Sequence, residues 1–294
     1  MRGAKPQRAL ESALVRDATL RNGESILIAC SGGPDSVALA AAMNAVATKQ
    51  GWRLSIAHIN HGQRRSADQD EAVVLHVAAA LRLPVTSVRL SAVPRGEGAM
   101  RTARYATLQR IAEKREATAI ATGHTAEDQT ETVLMALFRG AGTAGLTGIA
   151  ARRPLAIGID LYRPLLRRTH DELRHYCEML CLPYALDPTN EDVRYRRNAV
   201  REALTTLRLS FPRLDRAVAR AAHIVADELA DAPRATLRRR VREALDESGE
   251  LLDVDFEHIE SAVRALEAGR SGLFHAKRNV SVSVRRGRLG VKKR

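Results

Sequence analysis

Three short stretches of this chain concentrate residues able to do chemistry. The first is Ser31-Gly32-Gly33-Pro34-Asp35-Ser36, set between an apolar run, Ile26 to Cys30, and a helical pattern through Val37, Leu39, Ala40 and Met43. Strand, glycine turn and helix start together make an anion cradle. The glycines let backbone N–H groups approach a phosphate, and the helix N-terminus adds unpaired donors and the positive end of its dipole. Ser31 and Ser36 add hydroxyls, and Asp35 is placed to hold a metal ion bridging phosphates. The second stretch is His58-Ile59-Asn60-His61-Gly62-Gln63-Arg64-Arg65. The third is Gly123-His124 with Glu127, Asp128 and Glu131 following. His58 and His124 suit equally well a structural bond to loop backbone or a place at a site; His61, in the Asn-His-Gly turn, belongs with the site.

These stretches need elements to position them. Apolar runs at 26–30, 53–59, 85–90 and 119–122 read as strands. Helical patterns follow at 34–50, 67–81, after a loop at 94–98 with Ala103, Leu108 and Ile111 buried, and at 125–138. Strands alternating with helices predict an α/β fold, a doubly wound parallel sheet covered on both faces. Ligands of such sheets bind outside the carboxyl ends of the strands, and all three stretches fall at those ends. A helix over 6–21 precedes the sheet. Gly142, Gly145 and Gly148 mark a loop, and Tyr162-Arg163-Pro164-Leu165-Leu166 closes the sheet region. Thr169 with Glu172 makes a capping box for a helix reaching about 182. An arginine-rich helix over 195–207 and another over 211–229 come next, then two amphipathic helices and a hairpin from Val280 to Leu289. The expected domains are 1–210, catalytic, and 211–294, a helical linker with a small α+β C-terminal domain.

The chain has 294 residues and a formal net charge of +13, nearly all of it arginine. That balance favours a polyanionic partner, nucleic acid above all, because guanidinium groups pair bidentately with phosphate. Cys30, Cys177 and Cys181 form no spaced framework, with the last two read as one helical turn apart; this argues against disulfides and zinc and for a reducing cytoplasm. Arg2, Lys5 and Arg8 are followed by no apolar core, so no signal peptide is expected, and no apolar run nears the ~18 residues of a membrane span.

The phosphate loop has a type. No Gly-Lys pair occurs, which excludes a Walker A loop, and Gly-x-Gly-x-x-Gly is missing from the first turn. Ser31 to Ser36 resembles the loop of the PP-loop ATP pyrophosphatases. His58-Ile59-Asn60-His61-Gly62 with Arg64 resembles a signature of the tRNA(Ile)-lysidine synthetase family, Gln63 replacing the usual leucine. Arg101-x-Ala103-Arg104-Tyr105-x-x-Leu108 is similar to the next family block. Gly123 to Thr132, running on to Gly145-Leu146, is similar to the third, with Glu127 where the family usually has aspartate. Arg163 to Leu166, and Asp187 to Arg201, match the fourth and fifth. The series covers about residues 25–212 in family order. Family members often carry a further C-terminal domain, and here the chain has room for the first small one.

The resemblance implies ligation of free L-lysine to C2 of the wobble cytidine of a CAU-anticodon tRNA(Ile), through an adenylated cytidine, with ATP converted to AMP and pyrophosphate. It implies ATP and Mg2+ on Ser31, Gly32, Gly33, Pro34, Asp35 and Ser36, with His58 and His61 alongside and Asp35 on the metal. Asp128 and Glu131, three apart and so on one helical face, would bind the lysine and take its proton; otherwise they are an ordinary solvated helix start. Asp35, Asp128 and Glu131 are thus the expected catalytic residues, and Arg64, Arg104, Arg139, Arg197 and Arg201 the tRNA contacts. The clusters Arg238-Arg239-Arg240 and Arg285-Arg286 suit the tRNA backbone. No membrane partner is expected, and a homodimer is compatible with the sequence. Two rivals are weighed. A PP-loop tRNA thiolase would want Cys-x-x-Cys near the loop, and a nucleotide-binding stress-protein module would not require the later blocks.

Overall fold

The computed structural model describes residues 4–15, 21–60, 67–90, 96–185, 196–230, 233–248, 250, 254, 256–277, 279–285 and 287–293. The chain divides into two compact units, residues 1–141 with 148–220, and 142–147 with 221–294.

The larger unit is built on a six-stranded sheet of order β3-β2-β1-β4-β6-β5. β1 (Ser25–Ala29) pairs in parallel with β2 (Arg53–Asn60) and β4 (Ala119–Thr122); β3 (Val85–Arg89) and β6 (Ile159–Tyr162) extend it in parallel. β1 is apolar on both faces because helices cover both. Ile26 and Ile28 pack with α1 (Ala4–Val15), α2 (Pro34–Gln50), α3 (Ala67–Leu81) and α7 (His170–Met179). Leu27 packs with Tyr105, Leu108 and Ile111 of α4 (Glu97–Lys114) on the other. This is the buried pattern of a parallel sheet, as the alternation of strands and helices implied.

Local chemistry sets the helix ends. Pro34 opens α2 behind Gly33, where its missing N–H loses nothing, and Gly51 closes it at φ +67°. Thr169 and Glu172 cap α7 reciprocally, as expected. The first helix is described over Ala4–Val15, and residues 16–20 of its expected span lie outside the described residues. Three expectations need correction. β5 (Arg152–Ala156) makes an unforeseen antiparallel edge with β6, turning at Gly158 (φ +73°). Pro154 in β5 is tolerated because an edge strand need not donate on both sides. The glycine-rich stretch holds one helical turn, α6 (Thr143–Leu146). α7 stops at Met179, so Cys181, at φ +51°, does not stack on Cys177. Both are free thiols, as is Cys30. α5 (Ala126–Phe138) and α8 (Arg196–Ser210) complete the unit, and α9 (Leu214–Leu229) runs from it into the smaller one.

In the smaller unit α10 (Pro233–Glu247) and α11 (Phe256–Glu267) cover an antiparallel sheet of β7 (Gly272–Lys277), β8 (Val280–Arg285) and β9 (Arg288–Lys293). The expected hairpin is β8–β9, and β7 is an addition. Val280, Val282 and Val284 are buried at the period-two spacing of β8. Arg238 is no RNA contact: it is 4% exposed and pairs with Asp227 and Glu260, while Arg234 binds Glu260 and Glu267. No helix among the described residues is long and apolar enough to cross a membrane.

Removing one partner of a buried ion pair strands the other charge. Arg238→Met keeps most of the bulk and removes the charge. It should lower the stability of the smaller unit by about 3 kcal/mol, read as an earlier thermal transition by circular dichroism.

Candidate active site

The carboxyl ends of β1 and β4 meet at glycines. Gly32 sits at φ +94°, and a Cβ there would lie 3.0 Å from the Asp70 carbonyl oxygen. A Cβ on Gly123 would lie 3.2 Å from the backbone of Asp35 and Ser36. Only glycine lets the two turns approach so closely. Ser36 then organises the first turn from within. Its Oγ accepts from the Ser31 N–H at 3.1 Å and donates to the Gly33 carbonyl at 2.9 Å. Behind the turn the Cys177 thiol donates to Pro34 O, and Ala185 N–H to Gly32 O. Ser31, Gly32, Gly33, Pro34, Asp35 and Ser36 thus form one braced loop at the start of α2.

Asp35 leads to a residue the sequence reading passed over. Its Oδ2 lies 2.9 Å from Nδ1 of His170, at the start of α7. The His170 backbone N–H donates to Glu127 Oε1 at 3.0 Å. Burial opposes charge on the imidazole, but the hydrogen bond and charge of Asp35, helped by Glu127 and Asp128, outweigh it and raise its pKa to about 9. Burial pushes the Glu127 carboxyl up, and His170 only partly offsets this. The Thr169 capping box locates the start of α7 in sequence, but nothing local shows what His170 faces.

Asp35 Oδ1 and Glu127 Oε2 are buried and accept no hydrogen bond from the protein. Orphaned carboxylate oxygens are hard donors of the kind Mg2+ takes, and that ion is commonly held by one or two carboxylates plus substrate phosphates. The residues therefore fit the metal, with Glu127 joining Asp35. No cluster of three or more His, Cys, Asp or Glu side chains suited to a metal occurs among the described residues.

The other carboxylates have partners. Asp128 Oδ2 accepts from the Thr125 N–H at 2.9 Å, making a capping box at the start of α5. Glu131 is 2% exposed and takes both Nε (2.8 Å) and Nη2 (3.2 Å) of Arg201 from α8. Arg201 thus reaches an acid of its own chain. His58 is buried and its Nδ1–H donates to Cys30 O at 2.9 Å, tying β2 to the end of β1. His124 Nδ1 lies 2.8 Å from Thr122 Oγ1. Burial, reinforced by Arg163, Arg104 and Arg101 and opposed by Asp128, lowers its pKa to about 4. Arg104 stacks on Tyr105, and Arg139 lies exposed at the end of α5. His61 and Arg64 lie outside the described residues, as does the Arg197 side chain.

Comparison with known proteins places this geometry. The PP-loop domain model matches residues 5–207. The chain is similar to the U34-tRNA thiolase NcsA of Methanococcus maripaludis, a structure solved with its [4Fe-4S] cluster. The TM-score is 0.61 at 19% identity, over 74% of this chain and 76% of that one, which is a likeness of fold. The fold and its phosphate loop make this a PP-loop protein. The tRNA(Ile)-lysidine synthase of Synechococcus sp. is 37% identical over 220 residues, 74% of this chain and 68% of the relative. That of Salinispora tropica is 42% identical over 230 residues, 76% and 68%. That of Coxiella burnetii is 38% identical over 214 residues, covering 71% of this chain and 47% of the relative. The chain belongs to the tRNA(Ile)-lysidine synthase family.

His124 yields a pH signature. Its folded pKa lies below the ordinary 6.5, so the unfolded chain binds more protons between the two values. Its contribution is complete above pH 6.5 and is lost as pH falls toward about 4. Melting temperatures compared between wild type and His124→Asn should converge over that window and keep a constant offset above it.

Proposed function

We propose that this enzyme ligates L-lysine to C2 of the wobble cytidine in a CAU-anticodon tRNA(Ile), converting ATP to AMP and pyrophosphate. The observation that carries the reading is the abutment of the braced phosphate loop and the acid-lined start of α5 at Gly123, together with family membership. Ser31 to Ser36 would cradle the ATP phosphates on backbone N–H groups and the N-terminus of α2. Bound to Asp35 and Glu127, Mg2+ would supply neutralising charge at those phosphates. Cytidine O2 attacks the α-phosphorus and pyrophosphate leaves. The lysine ε-amine then attacks C2, forming the C–N bond as the C–O bond to AMP breaks.

The amine must lose its proton before attack, and Asp128 and Glu131 stand where an ammonium would be held and relieved of it. Both come preset, Asp128 by its cap and Glu131 by Arg201, so little reordering is needed on binding. The splayed cytidine enters from single-stranded anticodon loop, as enzymes acting on bases require. Arg64, Arg104, Arg139 and Arg197 remain the proposed backbone contacts, and the reaction belongs in the cytoplasm with its substrates. The product pairs with adenosine, which changes the codon read from AUG to AUA and the identity of the tRNA from methionine to isoleucine.

Labelled lysine should enter CAU-anticodon tRNA(Ile) only when ATP is present, and no incorporation would sink the reading. Asp35→Asn should lower kcat by about 100-fold or more with tRNA KM unchanged; full activity would remove Asp35 from the metal. Asp128→Asn keeps an acceptor for the cap but drops the charge. It should raise lysine KM by about tenfold, measured by steady-state kinetics, and an unmoved KM would leave Asp128 a cap alone.

A further inference from the structure

α7 begins where the phosphate loop and the start of α5 come together, and it bonds to both. The Ala126 N–H donates to Arg168 O at 2.8 Å, and the Cys177 thiol donates to Pro34 O at 3.4 Å. Between these ties stands His170, the first helical residue after the Thr169 cap. Its Nδ1 lies 2.9 Å from Asp35 Oδ2, and its backbone N–H donates to Glu127 Oε1 at 3.0 Å. One residue thus takes one oxygen from each of two acids that belong to different helices.

The other two oxygens complete the pattern. Asp35 Oδ1 and Glu127 Oε2 are buried and accept no hydrogen bond from the protein. Each carboxylate is therefore fixed through one oxygen and open at the other. Glu131, by contrast, gives both oxygens to Arg201. A carboxylate free to rotate loses that freedom when it binds a cation, and one already held by a donor has little left to lose. Carboxylates that ligate metals are ordinarily held by hydrogen bonds in this way. An ion pair that merely closes α7 on the loop would account for the bond to Asp35. It would not account for the same residue taking one oxygen of Glu127 while the second oxygens of both acids stay open.

We infer that His170 is the positioning residue of this carboxylate pair, fixing Asp35 through its ring and Glu127 through its backbone so that one divalent cation can take an open oxygen from each. The inference rests on the reading that Asp35 and Glu127 hold Mg2+, and it adds the residue that makes them a pair. His170 itself touches neither the cation nor the reacting atoms. A ring with its hydrogen on Nδ1 makes the bond to Asp35 whether neutral or charged.

The test measures binding of α,β-methylene-ATP, which cannot release pyrophosphate, by calorimetry in Mg2+ and in EDTA. Wild type should bind more tightly in Mg2+. His170→Ala loses the ring but keeps the backbone bond, and a melting curve checks that it folds. It should weaken binding in Mg2+ by about tenfold and leave binding in EDTA unmoved. His170→Asn, whose side-chain N–H can stand in for Nδ1–H, should recover part of that loss. His170→Pro removes both bonds and should lose more. Proline suits the first helical position, and Thr169, at φ −90° and ψ 155°, already has the extended backbone that precedes a proline. In turnover, kcat/KM for ATP should fall while lysine KM and tRNA KM stay unchanged. An undiminished Mg2+ advantage in His170→Ala overturns the inference. Equal losses in Mg2+ and in EDTA overturn it too and assign the ring to the phosphates. His170→Pro no weaker than His170→Ala overturns the part given to Glu127. In all these cases wild type still binds better with Mg2+; if it does not, the metal reading itself falls and takes the inference with it.

Discussion

A side chain at Gly123 would press within 3.2 Å of the backbone of Asp35 and Ser36, and the rest of the site depends on that contact. β1 and β4 are neighbours in the sheet although helices and two strands separate them in sequence. Their adjacency opens a crevice at the carboxyl edge, where the connections leave to opposite sides. A side chain at 123 would force the start of α5 or the phosphate loop to give by a few tenths of an ångström.

That closeness sets an electrostatic problem, since Asp35, Glu127, Asp128 and Glu131 crowd one edge. The structure settles each differently. Asp35 leans on the imidazole of His170, Asp128 on the N-terminus of its own helix, and Glu131 on the guanidinium of Arg201. Glu127, with a backbone N–H for one oxygen and nothing for the other, is pushed toward its neutral form by burial.

Much of this was legible in sequence because it is local. The strand–glycine–helix pattern at 26–43 and the Thr169–Glu172 box are each written within a few residues, and the structure has both. What escaped is tertiary or has weaker local form. The Thr125 cap closes on an aspartate rather than the glutamate of the usual box, and so reads as mere acidity. β5 carries a proline and no alternation, because an edge strand is specified by its partner. The partnership of Asp35 with His170 spans two distant elements. Arg238 was legible and was misread: Val241 and Leu245 follow it at helical spacing and are buried with it, so the run Arg238-Arg239-Arg240 is not one surface cluster.

Arg238 bears on how the charge of the whole chain should be understood. Arg152 with Glu24, Arg201 with Glu131, Arg208 with Asp215 and Arg238 with Glu260 are internal pairs, and it is tempting to subtract them from the cationic surface. Each pair contributes no net charge, however, so the excess of +13 is untouched by them. It resides on cations in surplus of acids. Arg101, Arg104 and Arg163 belong to that surplus, and they stand close enough to His124 to oppose its charge. A uniformly basic surface would hold RNA anywhere with equal indifference. These guanidinium groups gather at one place, around Tyr105 and His124, rather than spreading evenly.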